Sequence, residues 1–261
     1  FNGKTYEFTC TDITTALIFA YANGKIHKVM THLKKSFLLL IVCALSVLDG
    51  KAQTGIALTD ELNGKRIGVI GDSYVRNHKE PFENTWHYKF AKKHGMEYFN
   101  YGKNGNSIAY SSPRWGKAMY LRYAEMADSL DYVIVIGGHN DAFKLDSIGG
   151  IDNFKDKMEI LCKGLVEKYP TAKNLFLYPL ELQKLLKGSD SEKVVDAMIE
   201  VCGNYSIPIF DCARKGSIYA DNDTFRRIYF QKSKNNTDTA HLNSKGHDRF
   251  LKVAESFLLQ Y

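Results

Sequence analysis

Beyond residue 53 the chain alternates short apolar runs with longer stretches in which apolar positions recur every three or four residues. The first pattern predicts buried strands, the second helices packed by one face. Arg66-Ile67-Gly68-Val69-Ile70, Glu97-Tyr98-Phe99-Asn100, Tyr132-Val133-Ile134-Val135-Ile136, Asn174-Leu175-Phe176-Leu177-Tyr178 and Ile207-Pro208-Ile209-Phe210 read as strands. Asn84 to His94, Arg114 to Leu130, Asp152 to Tyr169, Ser191 to Gly203 and Ser244 to Leu259 read as helices, with Pro170 stopping the third. Strands without polar alternation, separated by helices, require a parallel sheet covered on both faces. The expected fold is α/β: a three-layer α/β/α sandwich around a mainly parallel five-stranded sheet, forming one domain over residues 54–261. The stretch from Cys212 to Thr237 reads as a long irregular loop, rich in Asp, Asn, Tyr and Arg, forming a wall of the functional cleft.

The first 53 residues follow another pattern. Met30-Thr31-His32-Leu33-Lys34-Lys35 is basic, Phe37 to Leu48 is apolar, and Gly50 and Ala52 provide a small-x-small ending before Gln53. That sequence of features predicts a secretory signal over residues 30–52, hence a secreted or periplasmic protein with no stable membrane insertion after cleavage. An apolar run of about a dozen residues falls short of the roughly 20 that span a bilayer. Residues 1–29 precede the signal and read as an upstream extension or a start-site error.

Composition adds limits. The 261 residues are 44% hydrophobic and 25% charged, with a formal net charge of +6. Basic and acidic residues are interspersed, without the like-charge block of a nucleic-acid partner. Of five cysteines, Cys162, Cys202 and Cys212 follow the signal. An odd count is no disulfide framework, although Cys202 and Cys212 flank a short strand and can either pair or lie buried as thiols. The sequence sets no oligomeric state.

In an open parallel sheet, ligands bind beyond the carboxyl ends of the strands. There the chain presents Gly71-Asp72-Ser73 after the first strand, Asn100-Tyr101-Gly102-Lys103-Asn104-Gly105-Asn106-Ser107 after the second, and Gly137-Gly138-His139-Asn140-Asp141 after the third. Asp238-Thr239-Ala240-His241 stands before the last helix. A serine hydroxyl becomes a nucleophile when a neighbouring base takes its proton. An imidazole can do so near neutral pH, provided a carboxylate fixes its tautomer from the far ring nitrogen. Ser73, His241 and Asp238 are the candidates, and a spacing of three keeps Asp238 and His241 on one side of a turn. The developing oxyanion needs donors, assigned to the backbone N–H of Ser73, the backbone N–H of Gly105 and the side-chain amide of Asn140. Asp72 and Asp141 are expected to tie their loops through backbone N–H groups. His78, His87 and His94 are expected at the surface or in packing, Trp86 in the core, and Trp115 in core or cleft.

These four blocks resemble the SGNH (GDSL) hydrolase family, in order and over residues from about 65 to 261. The resemblance implies a flavodoxin-like sandwich and ester hydrolysis without metal or organic cofactor. Two residues depart from the family pattern: Tyr74, where many members carry a small aliphatic residue or Leu, and His139, bulky in the Gly-x-Asn turn. Both are candidate substrate-binding residues, His139 lining an acyl or alcohol pocket.

Other motifs fail. Gly68-Val69-Ile70-Gly71 lacks the third glycine of a dinucleotide fingerprint, and Lys103-Asn104-Gly105 lacks the Gly-Lys-Ser/Thr of a phosphate loop. Val75 stands where the nucleophile elbow of α/β-hydrolases has its second glycine. No His, Cys or carboxylate set has metal-ligand spacing along the chain. The expected function is a secreted serine esterase removing short acyl groups, acetyl first, from a carbohydrate ester. The alternatives are a lipase, lysophospholipase or thioesterase of the same family, an acyltransferase, and a non-catalytic carbohydrate-binding protein.

Overall fold

The computed structural model describes residues 61–178, 188–233 and 237–261. The expected signal and the residues before it lie outside that range. Residues Thr59–Tyr261 form one compact unit, built on five strands: β1 (Arg66–Gly71), β2 (Glu97–Gly102), β3 (Tyr132–Ile136), β4 (Lys173–Tyr178) and β5 (Ile209–Asp211). All neighbours are parallel and the order is β2-β1-β3-β4-β5. This is the α/β/α arrangement that the apolar strands require.

Alternation along each strand splits the core in two. Ile70, Val133, Val135 and Phe176 point to one face, packed by α6 (Ile151–Lys168) and α7 (Asp190–Asn204). Ile67, Val69, Ile134, Ile136, Leu175 and Leu177 point to the other, packed by α2 (Trp86–Lys93) and α10 (Ser244–Leu258). The helices bury residues at helical spacing, such as Phe154, Met158, Leu161 and Leu165 in α6, and polar caps set their starts. Thr85 accepts the Tyr88 N–H, Ser189 the Glu192 N–H and Asn243 the Gly246 N–H. No helix among the described residues is long and apolar enough to cross a membrane.

Two expectations fail. Arg114 to Leu130 is not one helix: only α3 (Met119–Arg122) and a 3₁₀ turn at Tyr123–Glu125 form there. Gly116 takes a φ of +73° and pairs with Ser112, and the Met119 and Tyr120 N–H groups bond the Ser107 and Ile108 carbonyls instead of an earlier helical turn. The Cys212–Thr237 stretch is not a plain loop. It contains α8 (Cys212–Lys215), α9 (Asp223–Tyr229) and β6 (Phe230–Lys232), and β6 pairs antiparallel with β7 (Thr237–Leu242) apart from the main sheet. Asn222, one of the polar residues that suggested a loop, is a helix cap that accepts the Phe225 N–H, and Asp211, just before the stretch, caps α8 by accepting the Arg214 N–H.

The register matters for function. Gly71 lies beside Gly102 on one side and Ile136 on the other, so the segments after β1, β2 and β3 leave the sheet at one level. Connections diverge on either side of β1, which makes this edge the topological switch point where such sheets bind ligands.

Candidate active site

Ser73 opens the short helix α1 (Ser73–Arg76) directly after β1. Gly71 makes the turn possible, since a Cβ there would lie 2.5 Å from the Ile136 carbonyl oxygen and 2.4 Å from a Val75 methyl. Asp72 caps the helix, its Oδ1 accepting the Tyr74 N–H at 2.9 Å. The Ser73 Oγ is 2.8 Å from His241 Nε2, and His241 Nδ1 is 3.1 Å from both Asp238 carboxylate oxygens. With Nδ1–H donating to Asp238, Nε2 is left to accept the Ser73 proton.

The pair sits on strand β7, not on a turn as its spacing suggested. Asp238 reaches His241 by curling over its own backbone, where Oδ1 also accepts the Ala240 and His241 N–H groups at 2.7 and 2.9 Å. Burial pushes the Asp238 carboxyl up, but the hydrogen bonds from His241 and Ala240 outweigh it and hold the group well below the usual carboxylate range. Asp238 is therefore ionised throughout the neutral range.

The three expected oxyanion donors differ in how they are engaged. Neither the Ser73 nor the Gly105 N–H donates to an acceptor among the described residues. Gly105 has a φ of +69°, and a Cβ on it would fall 2.4 Å from the Trp115 ring. Lys144 fixes the same loop, its Nζ donating to the Gly105 carbonyl at 3.0 Å and to Ser107 Oγ at 3.1 Å. Asn140 is in α4 (His139–Ala142), which precedes the short α5 (Leu145–Ile148), and uses both amide protons, on Asp72 Oδ2 at 3.0 Å and the Asn106 carbonyl at 2.9 Å.

The sequence model of the GDSL-like lipase/acylhydrolase family matches residues 69–249, well over half of the chain. The chain belongs to this family. GDSL-like acylhydrolases are carboxylic ester hydrolases, and this chain is one of them. No curated protein matches it. Among solved structures, a protein from Lactobacillus plantarum superposes with a TM-score of 0.63 at 23% identity, covering 76% of this chain and 98% of its own. The psychrotrophic esterase EstA from Pseudoalteromonas sp. gives 0.54 at 11% identity, with 75% and 97% covered. A carbohydrate esterase family 2 enzyme with a carbohydrate binding domain, from Corynascus thermopiles (Myceliophthora fergusii), gives 0.52 at 18%, with 74% and 66% covered. At these identities the superpositions speak for the fold.

In this GDSL-like hydrolase the two other acidic residues of the blocks serve as ties. Asp141 accepts the Ile108 and Ala109 N–H groups at 2.9 and 2.8 Å, and Asp72 binds Tyr74 and Asn140. Burial raises both carboxyls above their ordinary value, Asp141 to about 7, against the lowering effect of those bonds. Tyr74 and His139 form an aromatic wall. The Tyr74 ring centroid is 5.7 Å from that of His241 and 5.9 Å from that of His139, edge-on to the latter. His139 continues it to Phe143, 4.9 Å away and 72% exposed.

Trp86 is a core residue as expected, while Trp115 packs on the Gly105 loop. His87 and His94 are buried packing residues. Cys162, Cys202 and Cys212 are free and buried. Cys202 lies with Cys162 in the core under α6 and α7, whereas Cys212 is buried in the core on the opposite face of the sheet.

His78 is the residue that linear reading misplaced. Its ring stacks on His241 at a centroid distance of 4.1 Å and an angle of 6°, with Nε2 4.0 Å from Asp238 Oδ2. His78, Asp238 and His241 thus place one possible metal-ligand atom each within 4.8 Å of one another, a grouping invisible in their spacing. Asp238 and His241 are already engaged with each other and with Ser73. The available signal was Asn77, a residue type that tolerates left-handed geometry and so permits a sharp return after α1.

Proposed function

We propose that the protein is a secreted serine esterase that removes short acyl groups, acetyl first, from carbohydrate esters through a Ser73 acyl-enzyme. The observation that carries this reading is the 2.8 Å contact of Ser73 Oγ with His241 Nε2, with Asp238 bound to the opposite ring nitrogen. As Ser73 Oγ bonds to the ester carbon, its proton passes to His241 Nε2 and the carbonyl electrons move onto oxygen. The Ser73 and Gly105 N–H groups receive that oxyanion, joined by Asn140 when it releases the Asn106 carbonyl. Collapse breaks the bond to the alcohol oxygen, which takes the proton from His241. Water then repeats the sequence on the acyl-enzyme and frees the acid and Ser73.

The substrate class rests on lesser support. Tyr74 and His139 are almost fully buried beside His241 and bound the site closely, which favours a small acyl group over a long chain. The exposed Phe143 ring and the Trp115 ring near Gly105 are flat apolar surfaces of the kind that stack on sugars. A carbohydrate esterase shares the fold. The basic, apolar and small-residue pattern over residues 30–52 supports export.

The test is hydrolysis of p-nitrophenyl esters from acetyl to palmitoyl and of acetylated sugars, with Ser73→Ala alongside. Turnover that is highest on acetyl and disappears in Ser73→Ala is expected. A preference for long chains would move the substrate to lipids, and a fully active Ser73→Ala protein would remove Ser73 as nucleophile.

A further inference from the structure

Asn77 and His78 are consecutive non-glycine residues in the left-handed region, with φ of +66° and +48°. That geometry costs free energy at each position and persists only where surroundings enforce it. Here they do. Asn77 is buried, its Nδ2 donating to the Pro81 carbonyl at 2.7 Å, while its Oδ1 accepts from Gln231 Nε2 at 3.1 Å and from His247 Nε2 at 3.2 Å. The His247 tautomer follows from its other nitrogen, which accepts the Trp86 N–H.

The strained turn delivers one side chain and three links. The His78 N–H donates to the Ser73 carbonyl at 3.1 Å. The His78 carbonyl accepts from Asn104 Nδ2 at 3.3 Å, one residue before Gly105. The ring lies flat on His241, whose other flank meets Tyr74. One residue therefore touches the segments carrying the nucleophile, an oxyanion donor and the general base.

We propose that His78 is a positioning residue of the ester-cleaving site, its ring face fixing the plane of the His241 imidazole and stabilising the cation that His241 becomes when it takes the Ser73 proton. The inference rests on the reading of Ser73 and His241 as nucleophile and base. A neutral aromatic face attracts a cation stacked on it. Burial, with His241 adding to it, lowers the His78 imidazole below its ordinary value against the opposing pull of Asp238, so His78 stays neutral while His241 carries the proton. The backbone strain is thus spent on a contact that strengthens as the proton moves.

The test compares His78→Leu with His78→Phe, which share the same backbone handicap at positive φ but differ in offering a flat ring. Both are assayed for p-nitrophenyl acetate turnover and for the rate at which a fluorophosphonate labels Ser73. The expected result is a kcat and labelling rate about tenfold lower in His78→Leu, restored to within about threefold of the parent in His78→Phe, with KM unchanged in both. A His78→Leu enzyme at the parent rate, or a His78→Phe enzyme as slow as His78→Leu, would overturn the proposal. If neither variant melts above the assay temperature, His78→Gly takes their place, because glycine accepts the local φ. Parental kcat in His78→Gly overturns the proposal, and a tenfold loss at unchanged KM supports it. Ser73→Ala keeps the two readings apart: turnover or labelling that survives in it removes the nucleophile assignment whatever His78 does.

Discussion

The buried carboxylate of Asp72 holds Asn140 by a 3.0 Å hydrogen bond from the amide nitrogen, while its other oxygen caps the helix that begins at Ser73. A single side chain therefore sets the distance between nucleophile and amide donor. Asp72→Asn keeps the shape but turns one acceptor into a donor facing the Asn140 amide. A loss of about 1–3 kcal/mol in stability is expected from the unsatisfied buried pair. The kcat is expected to fall about 10- to 100-fold as Asn140 shifts, against about 10²–10³ for Asn140→Ala, which deletes the donor. Urea melts and steady-state rates measure both. Parental stability and rate in Asp72→Asn would mean that Asn140 is held by the Asn106 carbonyl alone.

Gly105 is fixed by the Trp115 ring, itself pinned under Arg114 at 4.5 Å and near Lys144. Gly105→Ala is expected to cost about 1–3 kcal/mol from overpacking, and about 1 more from the left-handed backbone. In a Trp115→Ala background only the backbone part should remain. Melts of the two single variants and the double variant form the cycle. Strictly additive losses would show that the ring is not what excludes a side chain at Gly105.

His139 and Tyr74 make the wall beside the base, so wall volume should govern acyl length. His139→Ala is expected to raise kcat/KM for butyryl relative to acetyl esters by about tenfold, the scale of one to two methylenes in an apolar pocket. The ratio is read from parallel p-nitrophenyl ester assays. An unchanged ratio places the acyl group elsewhere.

His87 lies buried against Tyr98 and the Tyr74 carbonyl, and burial drives its imidazole down to about 3. Between that value and the unfolded histidine's of about 6.5, the unfolded chain holds a proton that the folded one lacks, so this contribution is complete above pH 6.5 and shrinks as pH falls. His87→Gln never titrates. The stability gap between parent and variant is therefore expected to narrow by about 1.4 kcal/mol per pH unit below 6.5. Denaturant melts at pH 7.5, 6.0 and 5.0 measure it, and a constant gap would mean that His87 is charged in the fold.

The sheet and the long helices were legible because each reduces to a local rule. Tyr132–Ile136 is apolar at every position, and residues 151–168 repeat on one face. The segment after Arg114 misled because Met119, Met126 and Leu130 have helical spacing while the N–H groups of Met119 and Tyr120 are taken by a distant loop. Asp238 and His241 were visible as residue types, but their strand depends on pairing with Phe230–Lys232, which no local pattern encodes. His78 was hidden for a related reason. Its stacking partner lies far along the chain and is reached only through a turn that Gln231 and His247 enforce.

The β6–β7 pair is not hydrogen-bonded into the five-stranded sheet. Ser73, Gly105 and Asn140 follow β1, β2 and β3 of the sheet, whereas Asp238 and His241 belong to this smaller pair, braced by Gln231 and by the Asn243 amide on the Phe230 carbonyl. Small units of this sort open before the whole molecule does. Mild denaturant should then disarm the enzyme while its sheet and helices remain folded, and dilution should rearm it without refolding. The pair is held to the rest of the molecule by Phe230 and Leu242, buried in the core shared with α10, and the working range of the enzyme is expected to follow how firmly those two side chains grip.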